Sequence, residues 1–587
     1  MNVNTKNLVV IYEHANYQGE NQSLSEGKYN LADINIGNDK LSSIRIPYGI
    51  KVTLFEHINF RGRRKTFTTN TKYVGDDFND LTSSLTIEKQ KICTGHGNIG
   101  NCATTAEERE LESPFSRLFD RSDLTYNAHA ISLLAGALGP MQESPTNNSF
   151  KPSIQAGFTF LGQFIDHDMT EFRVLDEEGK FVDKNPTIGV RQRVAPEENP
   201  TSTNGRSSRL DLDSVYGLFG ETNPELFDDN GFFILGDARR SNGKGERDIQ
   251  RNTDFGDGRR IADPRNDENK IIVQLHTLFM RLHNKIHANN GGDIKSPGFT
   301  ESKKTVQQIY RQIVFCDYLP RIVTTKVINN VKQAIKEGKS FYQQMNREVN
   351  RALESEKPLV AMPVEFAHAV FRLGHSQLLD FYRLNTNNVF PLFATSLTGQ
   401  QTDLRGNEQI TEETQIDWSF FFGERAQLGR PLDTKLPPSV FRLPPPAITE
   451  PPISLAERNI LRGIDFGLPG GQEVAVSLRQ LYGQIELVPP QFLGIPKDIS
   501  EIEPSLEVNT PLWYYILKEA EVLNLQNSQL GEVGGYIVAE TILGSLAESG
   551  FEFNISCPNS LEKSANINNP KEIFSLVNLL SFLGEIN

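Results

Sequence analysis

The sequence predicts a multidomain protein in which a small all-β domain precedes a much longer, mainly α-helical domain. Residues 1–90 contain short runs that alternate apolar and polar residues between turns rich in Gly and Asn, a pattern typical of half-buried strands. Beyond an aperiodic segment at 91–115, apolar residues recur at helical spacing, for example from Ile271 to Ile286. A chain of 587 residues also exceeds what one core accommodates. We therefore expect a β domain over 1–90, a linker over 91–115 and a helical domain over 116–587.

The charge and the apolar pattern argue against nucleic-acid binding and membrane insertion. A formal net charge of −14 disfavours nucleic acid as a partner, because phosphate backbones bind basic surfaces. The sequence has no apolar run of the roughly 18 residues that a membrane span needs, so we expect no transmembrane segment. The N-terminus lacks the basic and apolar regions of a secretory signal, which leaves a cytoplasmic location and leaderless export both open.

The four cysteines are too few for a disulfide framework in a chain of this length. Cys93 and Cys102 are near enough in sequence to close a small loop. Cys316 and Cys557 lie in apolar surroundings, and we expect both to be buried thiols.

An internal repeat runs through the β region. The segment Tyr12–Gly19 is echoed by Phe55–Gly62, and the two halves end similarly, with Asn38–Ser43 and Asn79–Ser84. These features resemble the βγ-crystallin fold, in which two Greek-key motifs pack as a sandwich. In that family the Asx-Asx-x-x-Ser/Thr-Ser signature marks calcium-binding loops, whose oxygen ligands suit a hard cation. The resemblance implies two calcium sites, formed around Asp39, Lys40, Ser42, Asp80, Leu81 and Ser83. The alternative is that these loops use Asx and Ser only as turn formers.

Two of the ten histidines stand in unusual company. In GFTFLGQFIDHDMTEF, helical spacing places Gln163 and His167 on one face, with Asp166 beside them. Polar residues on an otherwise apolar inner stripe carry a burial penalty unless they serve a site. The second histidine, His375, follows Arg372 by three residues, so both side chains project the same way. Both histidines are therefore candidates for a buried active site.

Five motifs, which include these two segments and follow one another in a set order along the chain, carry a more specific resemblance. They are GQFIDHD, SSRLDLDSVYG, RNDEN, FRLGH and ERNILRGIDFGLPG. Over roughly residues 116–550 the sequence is similar to the animal-type haem peroxidase superfamily, which contains myeloperoxidase, peroxinectin and related bacterial enzymes. The resemblance implies a helical haem peroxidase that uses H2O2 to oxidise a halide, thiocyanate or a phenol. It also suggests a role in the response to oxidative stress.

On the distal side of haem b, the resemblance assigns three catalytic residues. His167 would take a proton from peroxide and return it to the leaving oxygen, as an unprotonated imidazole can near neutral pH. Arg265 would place a fixed positive charge beside the O–O bond as it breaks. Gln163 would order a distal water or an incoming halide.

Two carboxylates match those that form esters with haem methyl groups in the mammalian enzymes, namely Asp166 and Glu268. We therefore expect haem that is covalently linked through one or both. Asp263 and Pro264 suit an N-cap and a first helical position, which predicts Arg265 and Glu268 on the opening turn of a helix over 265–287.

On the proximal side, the resemblance makes His375 the iron ligand. Asn459 matches the residue that hydrogen-bonds the other ring nitrogen of this ligand. Arg372 and Arg462 match the partners of the haem propionates. His368 is a rival for the iron because it lies seven residues before His375, on roughly the same helical face.

The second motif resembles a calcium loop of the peroxidases. Its ligands would be the side chains of Asp168, Ser207, Asp211 and Asp213 and the backbone carbonyl of Arg209. Oxygen-only ligation with three carboxylates suits Ca²⁺, and an ion bound there would hold the distal helix in place. The alternative is an acidic loop at the surface.

Two other functions compete with a peroxidase. A fatty-acid dioxygenase like cyclooxygenase shares the fold, but such enzymes place a radical-forming tyrosine where this sequence has Arg372; other tyrosines, such as Tyr382, remain. The second alternative is an adhesive protein whose β domain contacts a surface or a carbohydrate while the haem domain is vestigial. The presence of all the matched chemical residues argues against it.

Overall fold

The computed structural model describes most of the chain, in two compact units. One unit comprises 1–106 with 176–182, and the other comprises 107–175 with 183–587. The described residues are 8–46, 50–67, 71–75, 78–89, 113–122, 125–143, 154–175, 181–182, 202–217, 221–236, 247–253, 258–352, 358–394, 402–444, 451–523, 528–558, 561 and 569–586. The prediction of a small β domain followed by a mainly helical region is confirmed. Most of the predicted linker lies outside the described residues.

Among its described residues, the β domain has seven strands in two antiparallel sheets. They are β1 (Val9–His14), β2 (Gln18–Leu24), β3 (Gly27–Asn30), β4 (Ser43–Arg45), β5 (Ile50–His57), β6 (Arg61–Phe67) and β7 (Ser84–Lys89). One sheet has the order β2-β1-β4, and the other has the order β3-β7-β5-β6. Along β1, buried and less buried residues alternate, as period-two patterning requires when one sheet face packs on a core.

Each half of the repeat contributes to the sheet of the other half. β3 of the first half pairs with β7, so that Tyr29 lies opposite Leu85. In return, Thr71 of the second half pairs with Ile44 of β4. The exchange joins the two halves in one apolar cluster.

The second unit contains sixteen helices within its described residues. They are α1 (Ala128–Ala135), α2 (Ala156–Met169), α3 (Asp213–Tyr216), α4 (Lys270–Asn290), α5 (Pro297–Ile313), α6 (Leu319–Ile322), α7 (Thr325–Lys336), α8 (Phe341–Ala352), α9 (Val364–His368), α10 (Leu455–Asp465), α11 (Gly471–Tyr482), α12 (Lys497–Ile502), α13 (Ser505–Val508), α14 (Leu512–Leu523), α15 (Glu532–Glu548) and α16 (Leu576–Leu583). None of the described helices is long and apolar enough to cross a membrane.

Short strands and tight helical turns connect these helices. The strands are β8 (Phe115–Ser116), β9 (Phe172–Leu175), β10 (Phe181–Val182), which belongs to the first unit, β11 (Ser202–Asn204), β12 (Leu235–Gly236), β13 (Asp248–Ile249), β14 (Met362–Pro363), β15 (Phe381–Arg383) and β16 (Val389–Pro391). Two 3₁₀ turns, Pro264–Asp267 and Val370–Gln377, and one π-helical turn, Val314–Tyr318, carry or adjoin residues of the predicted site.

α2 is buried on nearly every side, which explains its apolar composition. It packs against α4 and against the Val370–Gln377 turn. Phe164 of α2 stacks on Phe279 of α4 with ring centroids 5.1 Å apart. Because its surroundings are close-packed, the polar side chains of α2 are held in fixed directions.

The predicted single helix over 265–287 is wrong at its start. Arg265 lies in the separate Pro264–Asp267 turn, and Glu268 ends that turn. Asn269 then adopts extended φ/ψ angles, and its side chain caps α4 by accepting a hydrogen bond from the Ile271 N–H. The Pro264–Asp267 turn and α4 are therefore two separate elements and not one continuous helix.

The expectation of two buried thiols at Cys316 and Cys557 is also wrong. These residues form a disulfide with a Cα–Cα distance of 5.5 Å, across a sequence separation of 241 residues. It links the Val314–Tyr318 turn to the segment that follows α15. Apolar neighbours in sequence indicated burial but gave no information on this distant partner. Cys93 and Cys102 lie outside the described residues.

Candidate active site

One cavity of the helical unit, with a volume of about 890 Å³, contains every predicted residue of the haem site. These residues are Gln163, Asp166, His167, Arg265, Glu268, Arg372, His375, Asn459 and Arg462. They come from α2, the two 3₁₀ turns and α10, which are distant from one another in sequence. Apolar side chains such as Phe160, Phe371 and Leu378 line other parts of the wall. Apolar walls with a few convergent polar groups are typical of a cofactor site.

His167 lies on the α2 wall of this cavity as a buried, neutral imidazole. Its Nδ1 is 2.9 Å from Asn266 Oδ1. Burial lowers the pKa of His167 to about 4, and the nearby Arg265 guanidinium adds to this shift. The ring therefore stays unprotonated near neutral pH, with Nε2 left for a group in the cavity.

Arg265 is fixed beside His167 by hydrogen bonds to backbone carbonyls. Its Nη2 donates to the His167 carbonyl and its Nη1 to the Thr170 carbonyl, each at 2.8 Å. Its Nη2 also lies 2.7 Å from Asp263 Oδ2. These contacts hold the positively charged guanidinium of Arg265 in a fixed position at the cavity wall.

A buried ion network supports Arg265 from behind. Asp263 pairs with Arg265 and with the fully buried Arg206, and Arg206 also lies 3.4 Å from Glu171. Burial alone would raise the pKa of Asp263, but Arg206 and Arg265 hold it well below its usual range. Asp263 therefore stays ionised and keeps Arg265 in place. No sequence motif pointed to this role of Arg206.

His375 is the candidate iron ligand on the predicted proximal side of the haem. It lies in the Val370–Gln377 turn, and its Nδ1 is 2.8 Å from the side-chain amide of Asn459 on α10. Burial lowers the pKa of His375 to about 3, and Arg372 contributes to the shift. The atom of Asn459 that faces Nδ1 is the amide nitrogen; with the amide oxygen turned toward the ring, Nδ1–H donates and Nε2 keeps the lone pair that a metal-binding histidine needs.

The rival ligand, His368, is packed among aromatic rings. Its ring centroid is 3.8 Å from that of Phe466, and Phe115 and Phe172 lie against it as well. Its Nδ1 accepts a hydrogen bond from Arg462 Nε at 3.1 Å. His368 also lines the cavity, but only 1% of its surface is exposed whereas His375 is half-buried, so the geometry favours His375.

Arg372 and Arg462 are two half-buried cations on the wall of the same cavity. Burial lowers the pKa of both guanidinium groups, and Arg372 lowers that of Arg462 further. Within the described part of the chain, Arg372 makes no ion pair. Two neighbouring cations that line one cavity suit anionic groups of a ligand, and the two propionates of a haem are such groups. The residues present therefore fit a haem.

The five predicted calcium ligands come together beside α2. Carboxylate oxygens of Asp168, Asp211 and Asp213 lie within 4.8 Å of one another. Ser207 Oγ contacts Asp211 Oδ2 at 2.9 Å and the Arg209 carbonyl at 3.4 Å.

The charges of this cluster fit a hard cation. Burial raises the pKa of Asp168 to about 7, and Asp211 adds to the shift by repulsion. Asp211 Oδ1 is buried without a hydrogen-bond partner. Since Asp168 and Asp213 are fully buried, the alternative of an acidic surface loop is wrong. Oxygen donors that repel one another are the set that Ca²⁺ stabilises.

The two signature loops of the β domain meet crosswise. Ser42 Oγ lies 3.5 Å from Asp80 Oδ1, and Ser83 Oγ lies 3.3 Å from Asp39 Oδ1. Each predicted site therefore combines groups from both halves, which the sequence did not indicate. Lys40 and Leu81 are adjacent to these aspartates in sequence, and calcium binding here stays a prediction.

Comparison with known proteins identifies the family of the helical unit. The model of the animal haem peroxidase family matches residues 141–478, which is more than half of the chain. The chain belongs to the animal haem peroxidase family. The chain is 24% identical to Heme peroxidase 2 of Caenorhabditis elegans over 42% of this chain and 38% of that protein. It is also 24% identical to the Peroxidasin homolog pxn-2 of the same organism, over 53% of this chain and 23% of that protein. The chain thus spans well under two thirds of both curated relatives.

Solved structures similar to this peroxidase include βγ-crystallin domains. A βγ-crystallin domain from Clostridium beijerinckii is 40% identical and covers 14% of this chain and 95% of its own, with a TM-score of 0.14. A βγ-crystallin domain from Flavobacterium johnsoniae is 30% identical, covering 14% of this chain and 98% of its own, also with a TM-score of 0.14. Both likenesses concern the N-terminal region.

Proposed function

We propose that this haem peroxidase reduces H2O2 with His167 as the acid–base group and Arg265 as fixed positive charge, and that it oxidises a small donor. One observation carries the proposal. The neutral imidazole of His167, hydrogen-bonded through Nδ1, lines the same cavity as His375 and the Arg372–Arg462 pair.

His167 moves one proton in two steps. Its Nε2 takes the proton from the peroxide oxygen that binds first, and then returns it to the second oxygen, which leaves as water. Arg265 stabilises the negative charge that develops on the leaving oxygen, because its guanidinium is already oriented by Asp263 and two carbonyls. Gln163 lines the cavity one helical turn before His167 and orders the incoming peroxide, water or halide.

Residues on the other walls hold the cofactor. The haem, when bound, supplies the iron that binds peroxide and passes its two oxidising equivalents to the donor. His375 Nε2 is the proposed iron ligand, and its Nδ1–H donates to Asn459 once the amide turns its oxygen toward the ring. Arg372 and Arg462 would bind the propionates, whose negative charges match the two guanidinium groups on this wall.

Replacing the proposed base tests this mechanism. We expect His167→Ala holoenzyme to keep its Soret band while its rate of reaction with H2O2 falls by roughly 10²- to 10⁴-fold, the usual contribution of acid–base catalysis. The matched control is His129→Ala, which removes an exposed histidine of the same unit and should leave the rate unchanged. A normal rate in His167→Ala, measured by stopped-flow absorbance, would contradict the assignment.

The proposed donors are halides, thiocyanate or phenols. Arg372 occupies the position where a cyclooxygenase-like dioxygenase needs its radical-forming tyrosine. Tyr382 is fully buried, packs against Phe160 and accepts a hydrogen bond from the Leu379 N–H. These observations favour the peroxidase. Steady-state rates with bromide, iodide, thiocyanate and a phenol, each with H2O2, would identify the donor; oxygenation of a fatty acid without peroxide turnover would overturn the proposal.

Asp166 and Glu268 are the proposed points of covalent attachment. Both line the cavity, and burial raises the pKa of Glu268 to about 7. After peroxide turnover, acidified solvent should leave haem on the wild-type chain and release it from the Asp166→Asn, Glu268→Gln double variant. Complete release from the wild-type protein would rule out both esters.

The buried cluster around Asp168 is the proposed calcium site of this peroxidase, with Ser207, Arg209, Asp211 and Asp213 as the other ligands. Elemental analysis of the purified holoenzyme should find calcium, with one ion lost in Asp168→Asn.

For the β domain we propose two weaker calcium sites and contact with a surface or a carbohydrate. Calcium titration and glycan binding by the full chain test these two roles.

A further inference from the structure

A buried chain of hydrogen bonds continues behind His167, away from the cavity. Asn266 Oδ1 is 2.9 Å from His167 Nδ1, and Asn266 Nδ2 is 3.1 Å from His276 Nδ1. Asn266 Nδ2 also donates to the Ser214 carbonyl at 3.4 Å. Asn266 is fully buried and His276 is 1% exposed. None of these three partners was singled out from the sequence.

The backbone carbonyl of Ser214 decides which way the amide of Asn266 points. A carbonyl can only accept a hydrogen bond, so the amide nitrogen must face Ser214 and the amide oxygen must face His167. His276 Nδ1 lies on the nitrogen side as well and therefore accepts. The oxygen of Asn266 in turn requires a proton on His167 Nδ1.

We propose that Asn266 is a positioning residue, which fixes His167 in the tautomer with its proton on Nδ1 and its lone pair on Nε2. This inference rests on the proposed function of His167 as the base. Only this tautomer can accept a proton from a ligand in the cavity. Among the residues that the structure describes, Asn266 is the one hydrogen-bond partner of the His167 ring.

The same bond stabilises His167 after it has taken the proton. The imidazolium keeps its Nδ1–H on Asn266 Oδ1, and a hydrogen bond to a charged donor is stronger than one to a neutral donor. Asn266 therefore favours the proton-accepting step without carrying charge itself. Loss of its amide leaves the ring to distribute its proton between the two nitrogens and to rotate.

Binding of two small ligands separates this role from a general change in the pocket. Hydrogen cyanide binds ferric haem as the anion, so its H–C bond breaks and the proton passes to His167 Nε2 as the carbon bonds to iron. Carbon monoxide binds ferrous haem without proton transfer. A residue that acts through the tautomer of His167 therefore changes the association rate of hydrogen cyanide and leaves that of carbon monoxide unchanged.

We expect Asn266→Leu holoenzyme to bind hydrogen cyanide at least about tenfold more slowly, since acid–base groups contribute roughly 10²- to 10⁴-fold and part of the correct tautomer remains. Its carbon monoxide association rate should stay within about twofold of wild type. The matched control is Asn330→Leu. Asn330 lies on α7 and its side-chain amide donates a hydrogen bond to the Tyr536 hydroxyl, so this variant should change neither rate. Should Asn266→Leu fail to retain haem, Asn266→Ala undergoes the same two measurements.

Two results would overturn the inference. One is a wild-type cyanide rate in the Asn266 variant while His167→Ala binds cyanide slowly; His167 is then the base but needs no help from Asn266. The other is an equal loss of both rates, which shows that the side chain only maintains the pocket. A wild-type cyanide rate in His167→Ala is a different failure, because it refutes the proposed base itself.

Discussion

Removing calcium from the proposed site beside α2 would perturb a buried cluster of three carboxylates. Asp168, Asp211 and Asp213 bring carboxylate oxygens within 4.8 Å of one another. Two unit charges at that distance repel by about 3.5 kcal/mol at an effective dielectric constant of about 20. Full ionisation of all three would therefore cost roughly 10 kcal/mol without a cation. The ion-free protein avoids this cost by holding a proton, and the pKa of Asp168 is accordingly raised to about 7.

The raised pKa gives the size and the pH range of the effect. The folded, ion-free protein keeps a proton that the unfolded chain releases near pH 3.8, so stability is lost as pH rises from about 4 to about 7. The shift of the Asp168 pKa from 3.8 to about 7 corresponds to roughly 4 kcal/mol above pH 7. Bound calcium replaces the proton and removes this penalty. For a domain of roughly 500 residues, unfolding entropy is about 1 kcal/mol per kelvin, so chelation should lower the midpoint by about 4 °C.

Calorimetry of the holoenzyme with and without a calcium chelator measures this difference. At pH 8 we expect the full shift of the unfolding midpoint, and at pH 4.5 a shift of under about 1 °C, because protons then occupy the ion-free site. Asp168→Asn should abolish the response to chelator. Asp498→Asn, which removes an exposed carboxylate of α12, should retain it. An equal response at both pH values, or a full response in Asp168→Asn, would refute the reasoning.

Three further changes test other parts of the molecule. Because burial lowers the pKa of His167 to about 4, the rate with H2O2 should be constant from pH 8 to about 5 and fall as pH drops through 4, where the imidazole gains a proton; a midpoint near 6.5 in stopped-flow data would contradict this. Arg206→Met leaves the buried carboxylate of Asp263 with one partner fewer and should cost about 3–5 kcal/mol, seen as a lower thermal midpoint than in Arg206→Lys. Cys557→Ser breaks the link to Cys316 and should lower stability by roughly 2–5 kcal/mol; an unchanged midpoint in both the presence and absence of reductant would show that the disulfide contributes nothing.

Patterns that repeat along the chain were sufficient to predict the two kinds of region. Alternation in segments such as Val9–His14 predicted strands, and the apolar stripe from Ile271 to Ile286 lies within α4. The boundary before α4 was not predicted, because Asn269 can either continue a helix or cap one, and only the backbone decides. The Cys316–Cys557 bond escaped prediction for a related reason: periodicity reports burial, and a distant partner leaves no periodic trace.

The same distinction applies to the site. Residues such as His167 and Arg265 were found because short motifs keep them together, and the structure places them in one cavity. Asn266 was overlooked although it follows Arg265 directly. Its partner His167 lies 99 residues away, and an asparagine in a polar turn is ordinary without that partner. Arg206 was overlooked because a buried arginine is recognisable only from the carboxylates around it.

Ser214 joins the calcium cluster to the distal base through the two ends of one residue. Its N–H donates to Asp168 Oδ1 at 3.3 Å, and its carbonyl accepts from Asn266 at 3.4 Å. The second distance is already near the limit for a hydrogen bond, so a displacement of about 0.5 Å in the loop would break it. The amide of Asn266 would then be held on its nitrogen side by His276 alone, which weakens the preference for the His167 tautomer with its proton on Nδ1. An ion at the proposed site around Asp168 would therefore act on the proposed base by two routes, through the backbone of α3 and through the helix that Asp168 and His167 share.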